Sequence, residues 1–244
     1  MTSLALNFED VYIRVSEFLG LGSSPSGANL TLVKSIVNRG VRKFLFPVNL
    51  QTNEVYIWSF LKKTGTLVTQ TGQANYVLPS DFIGLESGFK FDAGEDNTNP
   101  VKIDISKLRA MRSLSVVTGI PSYYAISLGP YDIETGAFYE VSFYKPPNTA
   151  LTYKYEYIFD PPELSATTDY FVGGVRASEV ILDCALAVAE LQEDDVAGPK
   201  EAKAAQSIAA LIEYDKNHSP NAIELDPNLI PNIPRFRMAT PAGA

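Results

Sequence analysis

The chain has one cysteine, Cys184, and one histidine, His218, so any thiol or imidazole chemistry must use one of these two residues. A Ser-His-Asp hydrolase would need His218 as its base. That residue sits at the end of a helical pattern, where a solvated terminal side chain is the simpler reading. Cys184 lies in an apolar helical stretch beside Ala185 and Ala187 and reads as a buried structural thiol rather than a nucleophile. One Cys and one His cannot form a zinc site without carboxylates, and none stand at a recognisable spacing. GLGSSPSG at 20–27 is glycine-rich, but it lacks the Lys-Ser/Thr ending of a phosphate cradle and follows no strand. Asp194-Asp195 has the form of a metal-binding pair, but a solvated helix end before Gly198-Pro199 is the better reading. The residues therefore predict no enzyme, no cofactor and no metal.

Two features remain that could recognise something. From Leu151 to Phe159, Leu151, Tyr153, Tyr155, Tyr157 and Phe159 alternate with Thr152, Lys154 and Glu156. That is the period of a half-buried antiparallel strand, and it reads as sheet core before it reads as an aromatic platform for sugar or a base. The other feature is charge. The 244 residues are 45% hydrophobic and 20% charged, with a net charge of −8. Residues 175–195 carry a local net of −5, from Glu179, Asp183, Glu190, Glu193, Asp194 and Asp195 against Arg176. This balance argues against a basic nucleic-acid binder.

The elements that hold these residues follow from periodicity. In NFEDVYIRVSEFLG, Asn7 can cap a helix, Glu9 and Asp10 suit its first turn, and Gly20 ends it; Val11, Val15, Phe18 and Leu19 share a face. After the loop GLGSSPSGAN, a second helical pattern runs from Leu32 to Leu45 and stops at Pro47. Gly40 inside it costs about 1 kcal/mol relative to Ala, which implies a close neighbour. From about Val55 the period becomes two. Thr66–Gln70 and Gln73–Val77 flank Thr71-Gly72 as a hairpin, and Gly88–Asp92 with Val101–Ile105 flank AGEDNTNP as a second one. A short helix is expected over Lys107–Leu114, and strands over Ser122–Leu128, Ala137–Tyr144 and Leu151–Phe159. Helical patterns return over Val175–Glu193 and Pro199–Tyr214, with Pro199 at a first helical position.

Helices at both ends thus bracket a β insertion, an α+β arrangement. Residues 219–244 are punctuated by proline and have neither period. Fully extended they reach roughly 80 Å at about 3.1 Å per residue, against a radius of gyration of about 18 Å for a folded chain of this length. No disulfide is possible with one cysteine. Asn7, Glu9 and Asp10 precede any long apolar run, so no signal peptide is expected. Asp183 and Glu190 interrupt the most apolar segment at about 2.5–3.5 kcal/mol each mid-bilayer, so no membrane span is expected either. The composition reads as a soluble protein made inside the cell.

Five phrases, in order, carry a family resemblance: VYIWSFLKK (55–63), YVLPSDFIGL (76–85), GIPSYYAI (119–126), GAFYEVSFYKPPNTALTYKYEY (136–157) and ASEVILDCALAVAE (177–190). Over residues 8 to about 215 the chain resembles head-to-tail adaptor (connector) proteins of tailed bacteriophages, the group that includes tail tubular protein A of short-tailed phages. The resemblance implies an α+β fold with a helical bundle from residues 1–54 and 163–218, an inserted antiparallel β domain at 55–162, and an extended C-terminal arm at 219–244. It implies a virion protein that assembles, usually as twelve copies, into a ring under the portal at the head-tail interface. The partners it implies are the portal protein, a tail nozzle or tail-tube protein, and passing genomic DNA that is not specifically bound. Ile223, Leu225, Leu229, Ile230, Ile233 and Phe236 are the expected arm anchors, with Arg235 and Arg237 pairing with portal carboxylates. Glu179, Asp183, Glu190, Glu193 and Asp194 are the residues expected to face the DNA channel. Two rival readings follow from the same residues: a carbohydrate- or receptor-binding module built on the aromatic strands, and a structural component lower in the tail or neck.

Overall fold

The computed structural model describes residues 4–48, 55–91, 98–114, 117–131, 133 and 136–218, apart from the side chain of Asp194. The first helix, α1 (Phe8–Phe18), begins where Asn7 and Asp10 form a reciprocal capping box. The Asp10 amide donates to Asn7 Oδ1 (2.8 Å) and the Asn7 amide to Asp10 Oδ2 (3.0 Å). Its buried face is Phe8, Val11, Tyr12 and Val15, whereas Phe18, expected on that face, is exposed. Helix α2 (Gly27–Leu45) starts one turn before the apolar pattern does. Its first residues point into solvent, so they leave no periodic signal although the backbone is already helical. Phe46 closes it, with Pro47 behind.

The β region has seven strands: β1 (Lys62–Val68), β2 (Asn75–Val77), β3 (Phe82–Phe91), β4 (Val101–Lys102), β5 (Tyr123–Leu128), β6 (Tyr139–Tyr144) and β7 (Thr152–Phe159). A helix, α3 (Ile105–Leu114), follows β4, and α4 (Gly174–Asp194) and α5 (Pro199–His218) complete the described chain. One sheet has the order β1-β7-β3 and the other β2-β6-β5-β4. Pairing is antiparallel except between β4 and β5. Tyr153, Tyr155 and Tyr157 of β7 meet Phe89 of β3 and Tyr124 and Phe143 of β5 and β6 in a core drawn from both sheets. This is the α+β architecture expected, with terminal helices packed together around central sheets.

Neither expected hairpin forms. The Thr71-Gly72 turn exists, with Gly72 at φ +78°, but it joins strands of different sheets. β1 pairs with β7, Thr66 opposite Lys154, and β2 pairs with β6, Tyr76 opposite Val141. The tyrosine stripe of β7 offers β1 a seven-residue partner, and Tyr155 lies so close over Gly65 that a Cβ there would sit 2.4 Å from its ring. Turn residues specify a reversal of direction but not the strand that is met afterwards. Likewise β3 pairs with β7, while β4 runs parallel to β5; residues 92–97 between them lie outside the described set. At Pro79 the chain crosses from one sheet to the other. The Leu78 amide donates to Tyr139 O (2.8 Å), the Phe82 amide closes a turn onto Pro79 O (3.0 Å), and β3 begins at Phe82.

Helix α4 is the centre of the helical part. Ala177, Ile181, Leu182, Cys184, Ala185, Ala187 and Ala189 are buried around most of its circumference, the pattern of a core helix. Small residues let α2 approach it closely: a Cβ on Gly40 would lie 2.7 Å from both Cα and N of Ala185. Farther along α2, Phe44 stacks on Trp58 (ring centroids 4.9 Å apart), and the Trp58 indole N–H donates to Phe44 O (2.9 Å). Trp58 stacks in turn on Phe60, which ties the helices to the start of β1. Among the described residues no helix is long and apolar enough to cross a membrane.

Gly40→Ala tests this contact. Alanine would gain about 1 kcal/mol of helix propensity. The clash is with backbone, which no rotamer relieves, so the net expectation is a loss of about 1–3 kcal/mol in denaturant unfolding.

Candidate functional site

The residues singled out for chemistry are dispersed and occupied. Cys184 is fully buried, and burial pushes its thiol up to about 12. His218 is the last residue of α5; its ring stacks on Tyr214 (4.2 Å) and its Nδ1–H donates to Tyr214 O (3.0 Å). GLGSSPSG connects α1 to α2, where Ser16 Oγ donates to Gly22 O (2.6 Å). Asp195 ends α4 in the left-handed region at φ +54°. Among the described residues no group of three or more His, Cys, Asp or Glu is placed to hold a metal ion. The tyrosines of β7 are core: Tyr153 stacks on Phe143 (5.3 Å), Tyr155 meets Phe89 (4.8 Å), and all three are at most 4% exposed. They offer no platform to a sugar or a base.

The acidic residues of α4 do not share one environment. The Glu190 carboxylate is buried and accepts the Lys200 amide (2.9 Å) at the start of α5. It thereby satisfies an orphan donor at a helix N-terminus, and Gly198 is needed beside it because a Cβ would lie 2.5 Å from its Cδ. Asp183 accepts Lys203 Nζ (2.7 Å) and Ser207 Oγ (2.8 Å), both from α5. Glu179 and Glu193 are exposed, and the Asp194 side chain is outside the described set.

Two carboxylates that the sequence did not point to join the helices and the sheets. Asp215, near the end of α5, accepts Tyr56 Oη (2.8 Å), the Ser59 amide (3.0 Å) and Ser59 Oγ (2.5 Å). Burial first, then this carboxylate, pushes the Tyr56 phenol well above its ordinary range. Asp81, in the Pro79 turn, accepts Lys63 Nζ (2.9 Å) and Tyr157 Oη (3.1 Å). Burial pushes the Asp81 carboxyl upward, but the bonds from Lys63 and Tyr157 outweigh it and hold the group below the usual carboxylate range. Beside Asp81 an open groove of about 830 Å³ separates α2 from the sheets, with Val41, Arg42, Phe46 and Glu163 on its walls. Close by, Phe46, Val48, Val55 and Ile57 are 40–49% exposed around the Val48–Val55 bridge.

The profile of the SU10 adaptor proteins matches the chain over residues 6–224. The chain belongs to the SU10 adaptor protein family. The match takes in the helices at both ends and all seven strands, so it covers the whole described fold. The protein is a phage head-to-tail adaptor, a virion component of a structural family rather than an enzyme family. No curated protein sequence matches the chain. As an adaptor it binds other virion proteins. Ile223, Leu225, Leu229, Ile230, Ile233, Arg235, Phe236 and Arg237, expected in its arm, all lie outside the described residues. Asp215 and Asp81 had no local signal, because their partners are distant in sequence and the contacts exist only once the chain is folded.

Asp81 gives the adaptor a defined acid dependence. A carboxyl depressed in the folded state stabilises above its unfolded pKa of about 3.9, and that contribution is lost as pH falls through the folded value. Asp81→Asn is therefore expected to be less stable at neutral pH. It should also lose less stability than the wild type between about pH 5 and pH 2.5, read from unfolding midpoints across this range.

Proposed function

We propose that this adaptor assembles as a ring, of twelve copies, that joins the portal to the tail and continues the channel through which the genome leaves. The reading rests on the family match across the whole described fold. Within it, residues 1–54 and 163–218 form the hub of the ring and 55–162 a platform presented to a tail nozzle or tail-tube protein. Residues 219–244 are the arm that reaches the portal. Ile223, Leu225, Leu229, Ile230, Ile233 and Phe236 bury against the portal, and Arg235 and Arg237 pair with its carboxylates. The arm orders on binding, so its entropy cost falls at the docking step and little of it supports assembly beforehand. Residues 225–244 lie beyond the family match, as suits a segment that follows its own portal.

Acid in the bore would keep DNA from adhering, since the duplex carries one negative charge per about 1.7 Å of axis. Of the five acidic residues expected there, Asp183 and Glu190 are engaged by α5, so Glu179 and Glu193 are the exposed side chains left for this role. The site is the head-tail interface of a particle assembled in the host cytoplasm.

The test is co-purification of the full chain, and of a chain ending at Asn217, with procapsid or portal, followed by particle imaging. The full chain should add a ring at the portal vertex and the shortened one should not. Failure of both would overturn the portal assignment. Glu179→Lys with Glu193→Lys should leave rings intact and slow DNA ejection; an unchanged ejection rate would remove those residues from the bore.

A further inference from the structure

Helix α5 contributes few buried apolar groups to the bundle. Of its residues Pro199–His218, only Ala204 and Ile208 are buried, with Leu211 and Ile212 partly so. What aligns it on α4 is a polar ladder. The Arg176 guanidinium lies 3.9 Å from the ring centroid of Tyr214, Ser207 Oγ donates to Asp183, and the Lys200 amide donates to Glu190. On α4 these rungs are Arg176, Asp183 and Glu190, one heptad apart. On α5 they are Lys200, Ser207 and Tyr214, again one heptad apart and in reverse order. This is the geometry of an antiparallel helix pair whose register is set by polar positions, which specify alignment at a cost in stability.

Further polar attachments accompany this ladder and the apolar contacts of Ala204 and Ile208. Lys203 adds to Asp183 with its side chain 62% exposed, Lys43 of α2 pairs with Glu201, and Asp215 accepts Tyr56 and Ser59 at the far end. Part-exposed ion pairs contribute little each and are screened by salt. The apolar core is supplied mainly by α1, α2 and α4, and α5 adds only Ala204 and Ile208 to it, with Leu211 and Ile212 at its edge. An element with few buried apolar groups opens at a lower free energy than the bundle it leans on. The link to α4 has its own turning point, with Asp195 in the left-handed region and Gly198 beside Glu190.

We propose that α5 is a releasable helix: it undocks from α4 as a unit about the link at residues 195–198, redocks in one register set by the polar ladder, and carries the residues after His218 with it. The proposal concerns the single chain and stands whether or not the adaptor forms a ring. Cys184 supplies a reporter. It is buried, it is the chain's one cysteine, and it belongs to the same apolar cluster as Ala204 and Ile208 of α5, so undocking α5 removes part of the cover of that cluster.

The experiment is hydrogen-deuterium exchange of the full chain, with N-ethylmaleimide labelling of Cys184 in parallel, at about 20 mM and about 0.5 M sodium chloride. Amides of α5 should exchange as a block at least roughly tenfold faster than those of α2 and α4, and several-fold faster again in high salt. Labelling of Cys184 should rise in step while the α2 and α4 amides stay protected. Asp183→Ala should raise both rates in low salt. Lys203→Ala, made on the exposed side where folding is not at stake, should do the same to a smaller extent. The proposal is overturned if α5 is as protected as α4, if neither salt nor either substitution changes its exchange, or if Cys184 labels only at the rate of global unfolding.

Discussion

The close approach of α2 to α4 at Gly40 and Ala185 is the constraint on which the rest of the adaptor depends. Two backbones this close leave no room for side chains between them, so α4 must be poor in bulk on that side and α2 must carry glycine at the crossing. The same approach fixes where the end of α2 lies. From there Phe44 reaches Trp58, and Trp58 reaches Phe60, so the position of the sheets follows from the position of one helix crossing. Such a chain of contacts makes a rigid frame, because close-packed interiors pass on displacement with little compliance.

Charge is used in an unexpected way. The acid excess of α4 suggests a solvated or channel-facing surface, yet Asp183 and Glu190 are used inside the protein to seat α5. Asp215 and Asp81 work similarly: Asp215 ties α5 to Tyr56 and Ser59 ahead of β1, and Asp81 ties the turn before β3 to β1 and β7 of the same sheet. Apolar packing forms two separate clusters, one among the helices and one between the sheets. Polar contacts thus serve where elements must be aligned, and apolar contacts where they must be held. This division suits a member of a structural adaptor family.

What was legible in the sequence was what depends on neighbours in the chain. Asn7 and Asp10 are three residues apart, and their capping box needs nothing else. The alternation from Leu151 to Phe159 names a half-buried strand, and the burial of Tyr153, Tyr155 and Tyr157 follows from it. The need for glycine at position 40 could be inferred, though not that Ala185 was the reason. The two hairpins were not legible: turn chemistry marks a reversal, and β1 and β4 found longer-range partners in β7 and β5. The start of α2 was missed because a helical turn facing water has no apolar period.

By itself, then, the sequence determined the α+β class, the cap of α1, the aromatic core strand and the adaptor resemblance. These rest on residue type and on spacing within a turn or a strand. The tertiary structure alone decided which strands share a sheet, that the acid of α4 seats α5, and that Asp215 and Asp81 hold the parts in place. Those outcomes depend on contacts between residues 10 to 159 positions apart, and their energies come from burial and geometry that exist only when the chain has closed.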